Sequence, residues 1–360
     1  MARIRAAVCY KKGGPLSIED VELRDPVGQE VEVTLGAVAI CHSDISYLDG
    51  AWEGDHPAIY GHEAAGRITA LGPDAQGFDV GDHVVVTLIR ACQTCAKCAS
   101  GKPTQCATPG KLPDGPIKTL NGAPIVQAMN CGAFAEKVVV DQSQIARVPT
   151  EMPAASAALL ACGVITGMGA VVNTARVRPG DCVVVIGAGG IGLNAIQGAR
   201  IAGAARIFAI DTMAEKLDAA IEFGATDGIP AGSDRPWDAV QRAAGRLADA
   251  VFVSVGAIPA FEQALNYVAP GGSMYMVGMP HDGAVASYEP VNVAGLSQGM
   301  QGTKMGDTVL ARDIPWMVEL YGQGRLKLDE LISGRWRLDQ INEAIDDTRS
   351  GAARRNVIVF

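Results

Sequence analysis

Hydrophobic positions in the first third of the chain come in short runs. Residues 31–35, 66–71 and 83–87 alternate or run apolar between Gly, Pro and Asp punctuation, which predicts several short strands gathered into a compact, barrel-like β region. From Asp181 the rhythm changes to strand, glycine-rich turn and helix. An apolar strand starts at Cys182, a turn opens at Gly187, an alanine-rich helix runs to about Ala204, and a second strand runs from Arg206 to Asp211. A helix near 213–223, a strand at 250–255, a helix near 260–268 and a strand at 273–277 continue the alternation, which is the pattern of a parallel doubly wound sheet. After Gly299 it stops, and helices near 314–321 and 338–348 lead to a closing strand at 356–360, expected to return to the first domain. The segment 152–174 carries no charge and is long enough to cross a bilayer. Its Ala, Gly, Thr and Ser content makes transfer into lipid poor, so a buried helix crossing between domains is the expectation.

Composition narrows the classes. A chain of 360 residues suits two domains, or one interrupted by another, and 48% hydrophobic with 19% charged residues is a globular balance. A net charge of -9 repels a phosphate backbone, and 5% aromatics leave little to stack on bases, so no nucleic-acid partner is expected. The first ten residues hold no apolar stretch of signal-peptide length, and no tandem repeat or low-complexity tract is present. Among nine cysteines, four fall at 92, 95, 98 and 106. That density is unlike dispersed disulfide pairs and places the chain in a reducing cytoplasm.

The spacing Cys92-x2-Cys95-x2-Cys98-x7-Cys106 supplies four thiolates from one loop, enough to close a tetrahedral structural zinc with no position left for substrate. An iron–sulfur cluster takes the same ligands and is the chief rival. Two smaller motifs, Cys41-His42-Ser43-Asp44 and Gly61-His62-Glu63, and a later fragment beginning at Cys162 offer Cys, His and Cys, a three-ligand set that leaves a fourth zinc position open. Gly187-Ala188-Gly189-Gly190-Ile191-Gly192 follows an apolar strand and opens a helix, the context in which such glycines admit a dinucleotide pyrophosphate. Asp211 ends the next strand 19 residues after Gly192, where a carboxylate accepts both ribose hydroxyls of NAD and repels a 2′-phosphate; it could also serve as a helix cap.

These motifs, with Glu222-Phe223-Gly224-Ala225-Thr226 and the ending Arg355-Asn356-Val357, run in one order over essentially the whole chain. In them the sequence resembles the zinc-dependent alcohol dehydrogenases of the medium-chain dehydrogenase/reductase family. The segment from 110–115 to 132–134 is most similar to the branch of the dimeric, thiol-adduct (formaldehyde-oxidising) and aryl-alcohol enzymes.

The resemblance implies an α/β fold in which a Rossmann doubly wound sheet is inserted in a GroES-like β-barrel catalytic domain. Its expected boundaries are 1–163 for the catalytic domain, 164–300 for the NAD-binding domain and 301–360 for the return. It implies two zinc ions per chain and NAD. Cys41, His62 and Cys162 would ligate the catalytic zinc, with Glu63 a carboxylate that could reach the metal. Asp44 would fix the His62 tautomer, and Ser43 would start the proton relay. His42 and Arg355 would meet the pyrophosphate, Lys216 the adenosine ribose, and Thr166, Gly190 and Ile191 would complete the cofactor contacts, although Lys216 could equally be a solvated helix charge.

Ser46 stands where relatives often carry the relay's terminal histidine, and Leu88 where they carry a pocket aromatic, which hints at room for a bulky or aryl primary alcohol. A homodimer, a small alcohol or aldehyde substrate and no membrane partner complete the expectation. A dehydrogenase for a thiol adduct of formaldehyde, needing cations such as Arg90, Lys111 or Lys118 at the pocket mouth, and a non-catalytic binding protein on the same fold are the alternatives.

Overall fold

Why strands close into a barrel at one end of the chain and a helix-covered sheet forms in the middle follows from which faces must be buried. The computed structural model describes residues 1–108 and 115–360. The chain divides into two units, Met1–Gly163 with Val309–Phe360, and Val164–Thr308.

In the first unit five strands close a barrel in the order Ala2–Cys9, Ser17–Leu23, Ile117–Thr119, Pro124–Gln127 and Ala58–Ile59. A seven-stranded sheet is centred on Glu30–Ala39, which pairs antiparallel with Glu63–Leu71, Lys137–Asp141 and the carboxyl-terminal Arg355–Val359. Alternation sets the faces: Val31, Val33, Val84, Val86, Val138 and Val140 enter one apolar core with Phe134 and Ile358. Two pairings bear on the site. Glu63 lies opposite Thr87 and Ala39, and Val357 lies opposite Ala39, so the ladder brings residues distant in sequence to neighbouring positions.

The second unit is a six-stranded, all-parallel sheet. Numbered along the chain its strands are Cys182–Ile186, Arg206–Asp211, Asp227–Pro230, Ala248–Val253, Val268–Met276 and Gly299–Gly302, and they lie in the order 3-2-1-4-5-6. The central strands read as apolar runs because helices cover a parallel sheet on both faces. Strands expected at 182–186 and 206–211 and the helix near 213–223 form as Cys182–Ile186, Arg206–Asp211 and Ala214–Phe223. The helix expected at 260–268 is shorter. It spans Ile258–Ala264, gives way to a tight turn at Leu265–Tyr267, and Val268 already pairs as strand with Ala248.

The charge-free segment is helical over Ala154–Ala175, with a mean hydropathy of 2.0 and 94% of its apolar window buried inside the protein. Length and composition alone would let it span a membrane, but its apolar surface is already covered by protein. Its small residues are needed for close approach: a Cβ on Gly167 would lie 2.5 Å from the Ile191 carbonyl, and one on Gly169 would meet Gly306 main chain at 2.4 Å. The helix widens to π geometry over Leu160–Val164, the turn that carries Cys162.

Candidate active site

Asp44 organises the first site. It lies in the first turn of the helix His42–Leu48 and is wholly buried. Its Oδ2 accepts the Cys41 N–H at 3.1 Å, and its Oδ1 accepts the Gly61 N–H at 2.9 Å while lying 3.1 Å from His62 Nδ1. One carboxylate therefore ties the two small motifs together and directs His62 Nε2 away from itself. Gly61 is required here: its φ is +88°, and a Cβ would lie 2.7 Å from the Phe134 nitrogen.

Cys41, His62, Glu63 and Cys162 are all buried, and their ligand atoms lie within 4.8 Å of one another. His62 Nε2 and Glu63 Oε1 have no hydrogen-bond partner. A buried imidazole nitrogen without a partner is costly unless a metal fills the position. The electrostatics agree. Burial opposes charging of His62, yet Asp44 and Cys41 hold its pKa well above the ordinary value, so the pocket favours positive charge where Nε2 points. A hydrogen bond from Cys162 holds the Cys41 thiol well below its usual range despite burial. Two cysteines and a histidine fit a zinc ion that keeps one position open, and His62 held by a carboxylate is the usual support for such a ligand.

Glu63 has a neighbour that sequence reasoning missed. The Arg355 guanidinium donates to Glu63 Oε2, and both groups are buried. Burial pushes the Glu63 carboxyl up to about 7, with Arg355 opposing. Gly163 leaves room for the pair, since a Cβ there would lie 3.0 Å from Arg355 Nη1. The arginine expected at a pyrophosphate thus sits beside the metal ligands. Ser43 is half-buried in the first turn of the same helix as Asp44, and His42 is exposed at its start.

The four-cysteine loop forms a second cluster, again with all ligand atoms within 4.8 Å. Cys106 Sγ lies 3.5 Å from Cys92 Sγ and 3.9 Å from Cys95 Sγ. Four sulfurs 2.3 Å from one tetrahedral zinc stand about 3.8 Å apart. All nine cysteines are free. A multi-iron cluster would spread its thiolates over several metals, so the compact spacing favours one ion. The Thr108 hydroxyl and the Thr94 and Cys95 N–H groups draw the Cys92 thiol down to about 5, preparing a thiolate. Residues 110–114 of the segment used for the branch assignment, and Lys111 with them, lie outside the described residues.

In the second unit the glycines divide the work. Gly187 has φ +95° and packs so tightly that a Cβ would lie 2.4 Å from Val255 Cγ1. Gly192 leaves no room either, with the Gly187 carbonyl 1.8 Å from its Cβ position, whereas a Cβ on Gly189 would meet nothing within 4 Å. The first and third close the turn onto the strand and helix, and the second leaves its face open for a ligand. Gly190 and Ile191 begin the helix Gly190–Ala202, whose N-terminus faces that opening. Asp211 accepts the Ala188 N–H at 2.7 Å and the Met213 N–H at 3.0 Å, so it braces the glycine turn. Lys216 is half-buried on the helix that follows. Thr166 is buried, with its hydroxyl 3.7 Å from Met305 Sδ.

Asp44→Asn is expected to weaken the Cys41–His62–Cys162 zinc by about 10- to 100-fold, because one carboxylate oxygen becomes a donor facing the Cys41 or Gly61 N–H. Chelator competition should show this loss with the four-cysteine zinc unchanged. Wild-type affinity at the Cys41–His62–Cys162 site in the variant would refute the role.

Comparison with known proteins agrees with this arrangement. Residues 28–150 match the family described as alcohol dehydrogenase GroES-like domain, and residues 190–322 the family described as zinc-binding dehydrogenase. The chain is 34% identical over 366 residues to an NDMA-dependent alcohol dehydrogenase of Amycolatopsis methanolica, covering 99% of each chain. It is 36% identical over 367 residues to an S-(hydroxymethyl)glutathione dehydrogenase of Photobacterium damsela subsp. piscicida, again covering 99% of each. Among solved structures, an alcohol dehydrogenase zinc-binding domain protein from Burkholderia ambifaria superposes with a TM-score of 0.96 at 33% identity, covering 100% of this chain and 99% of that one. Benzyl alcohol dehydrogenase from Acinetobacter calcoaceticus superposes with a TM-score of 0.93 at 28% identity, covering 100% of both. With buried Cys-His-Cys ligands, a four-cysteine loop and a glycine turn on a doubly wound sheet, the chain belongs to the zinc-dependent alcohol dehydrogenases of the medium-chain dehydrogenase/reductase family.

Proposed function

We propose that this protein interconverts a primary alcohol, aryl or bulky, and its aldehyde with NAD as the hydride carrier. The observation that carries this reading is the buried cluster of Cys41, His62 and Cys162. Zinc held there would supply Lewis acidity, lowering the pKa of a bound oxygen toward neutrality. NAD on the glycine turn would supply the hydride acceptor. Ser43, in the same helical turn as Asp44, takes the proton from the substrate hydroxyl. Ser46 stands where a basic residue would end this relay, so Ser43 is the one protein group proposed to take up the proton. His42 would meet the pyrophosphate, joined by Arg355 only if its guanidinium leaves Glu63, while Lys216 would meet the adenosine ribose and Thr166 the cofactor near the start of Gly190–Ala202. Asp211 favours NAD over NADP, because its carboxylate beside the glycine turn repels a 2′-phosphate.

The thiol-adduct alternative needs exposed cations for a carboxylate-bearing thiol. Of the three cations named for it, Arg90 is paired with Asp141 at 3.8 Å with its side chain 9% exposed, Lys118 is exposed, and Lys111 lies outside the described residues, so the choice between the simple alcohol and the adduct falls to the experiment below.

We further propose a homodimer. The edge strand Gly299–Gly302 has no outer partner among the described residues, and the stretch of chain before it exposes Val285, 80%, and Val291, 73%, with Met279 and Tyr288. Sedimentation at the monomer mass would contradict it. Nine free cysteines are consistent with a cytoplasmic location, which cell fractionation tests.

The deciding experiment offers the zinc-replete protein NAD, NADP or NDMA as acceptor with benzyl alcohol, ethanol, and formaldehyde with and without glutathione. Reduction of NAD by benzyl alcohol is expected. Turnover only with formaldehyde and thiol would transfer the assignment to the thiol adduct, and no turnover with any pair would favour a non-catalytic protein.

A further inference from the structure

Three consecutive residues after the last strand of the doubly wound sheet hold left-handed backbone: Met305 at φ 52°, Gly306 at 62° and Asp307 at 48°. Glycine adopts this conformation freely, but methionine and aspartate do so at a cost, and a run of three is maintained only where the surroundings over-determine it. Here they do. The Thr174 hydroxyl donates to Asp307 Oδ2 at 2.8 Å and lies 2.8 Å from the Thr303 hydroxyl. Asn173 Nδ2 donates to the Gly306 carbonyl at 3.1 Å, and the Thr308 hydroxyl donates to the Ile165 carbonyl at 3.3 Å. Gly306 is pressed on Gly169 so closely that a Cβ would lie 2.7 Å from the Gly169 Cα.

The location gives the strain a purpose. The turn follows Gly299–Gly302 in the chain direction, as the glycine turn follows Cys182–Ile186, and all six strands are parallel. Both turns therefore stand at the carboxyl edge of one sheet, where doubly wound folds bind their ligands. They are also linked through packed groups: Met305 Sδ touches the Thr166 hydroxyl, and a Cβ on Gly167, the next residue, would lie 2.5 Å from the Ile191 carbonyl in the first turn of Gly190–Ala202.

We infer that Thr174 and Asp307 are positioning residues for the dinucleotide, locking the left-handed turn 305–307 so that its main chain forms a rigid wall of the cofactor site. This rests on the proposed NAD-linked function. Asp307→Gly separates strain from positioning, because it relieves the unfavourable φ at 307 while removing the bond to Thr174. Thr174→Val removes the same bond from the other side with little change of shape.

The test titrates NADH into the zinc-replete protein and follows nicotinamide fluorescence, with thermal unfolding of the same samples in parallel. Kd for NADH is expected to rise about tenfold in Asp307→Gly and in Thr174→Val, with Tm of Asp307→Gly unchanged or raised, and Asp307→Asn is expected to restore binding. Wild-type affinity in both bond-deleting variants would overturn the inference while leaving the proposed function standing. Failure of the wild-type protein itself to bind NADH would overturn both.

Discussion

His62→Ala is expected to carry one zinc per chain in place of two and to oxidise alcohols at least about a thousandfold more slowly, the loss of roughly 4 kcal/mol of Lewis-acid stabilisation. His62 contributes the only imidazole of its cluster, and its Nε2 is buried with no hydrogen-bond partner. The fold should survive the change, because Asp44 still accepts the Cys41 and Gly61 N–H groups. Metal analysis beside steady-state kinetics checks both parts. Two zincs retained with activity within tenfold of wild type would place the chemistry elsewhere.

The second large effect concerns stability. Between Cys92 and Cys106 only Thr104 is buried, so this loop has almost no apolar core of its own and depends on its metal for a fixed shape. Cys95→Ala is expected to lose that zinc alone and to lower Tm by about 5 °C, taking a loss of roughly 4 kcal/mol against the ~10–16 kcal/mol that structural zinc supplies to isolated fingers. The loop should become sensitive to protease, while the zinc at Cys41, His62 and Cys162 and the affinity for NADH persist. Unchanged Tm and protease resistance in a protein that had lost this zinc would show that the loop folds without it.

What could be read beforehand follows from the chemistry of each residue. Metal ligands are legible because coordination demands particular residue types, and four cysteines in one loop have few other reasons to be so close. The glycine turn is legible because Gly187 and Gly192 occupy positions where a Cβ would collide with its neighbours. The Glu63–Arg355 contact was hidden because it joins residues 292 apart through a strand pairing that local pattern does not encode. The turn at 305–307 was hidden for the opposite reason: local propensity argues against left-handed Met305 and Asp307, and tertiary contacts override it. The helix Leu310–Gly322 began earlier than the expected 314 because the Asp313 carboxylate accepts the Val309 N–H at 2.9 Å, stabilising a first turn ahead of Pro315.

The central claim is hydride transfer from an alcohol carbon to NAD. Incubating the zinc-replete protein with NAD and benzyl alcohol carrying deuterium at both carbinol positions, then weighing the reduced cofactor by mass spectrometry, tests it most directly. One deuterium per NADH formed, with monodeuterated benzaldehyde as the other product, is the predicted result. NADH without deuterium, or no reduced cofactor while the protein holds both zincs, would contradict the account.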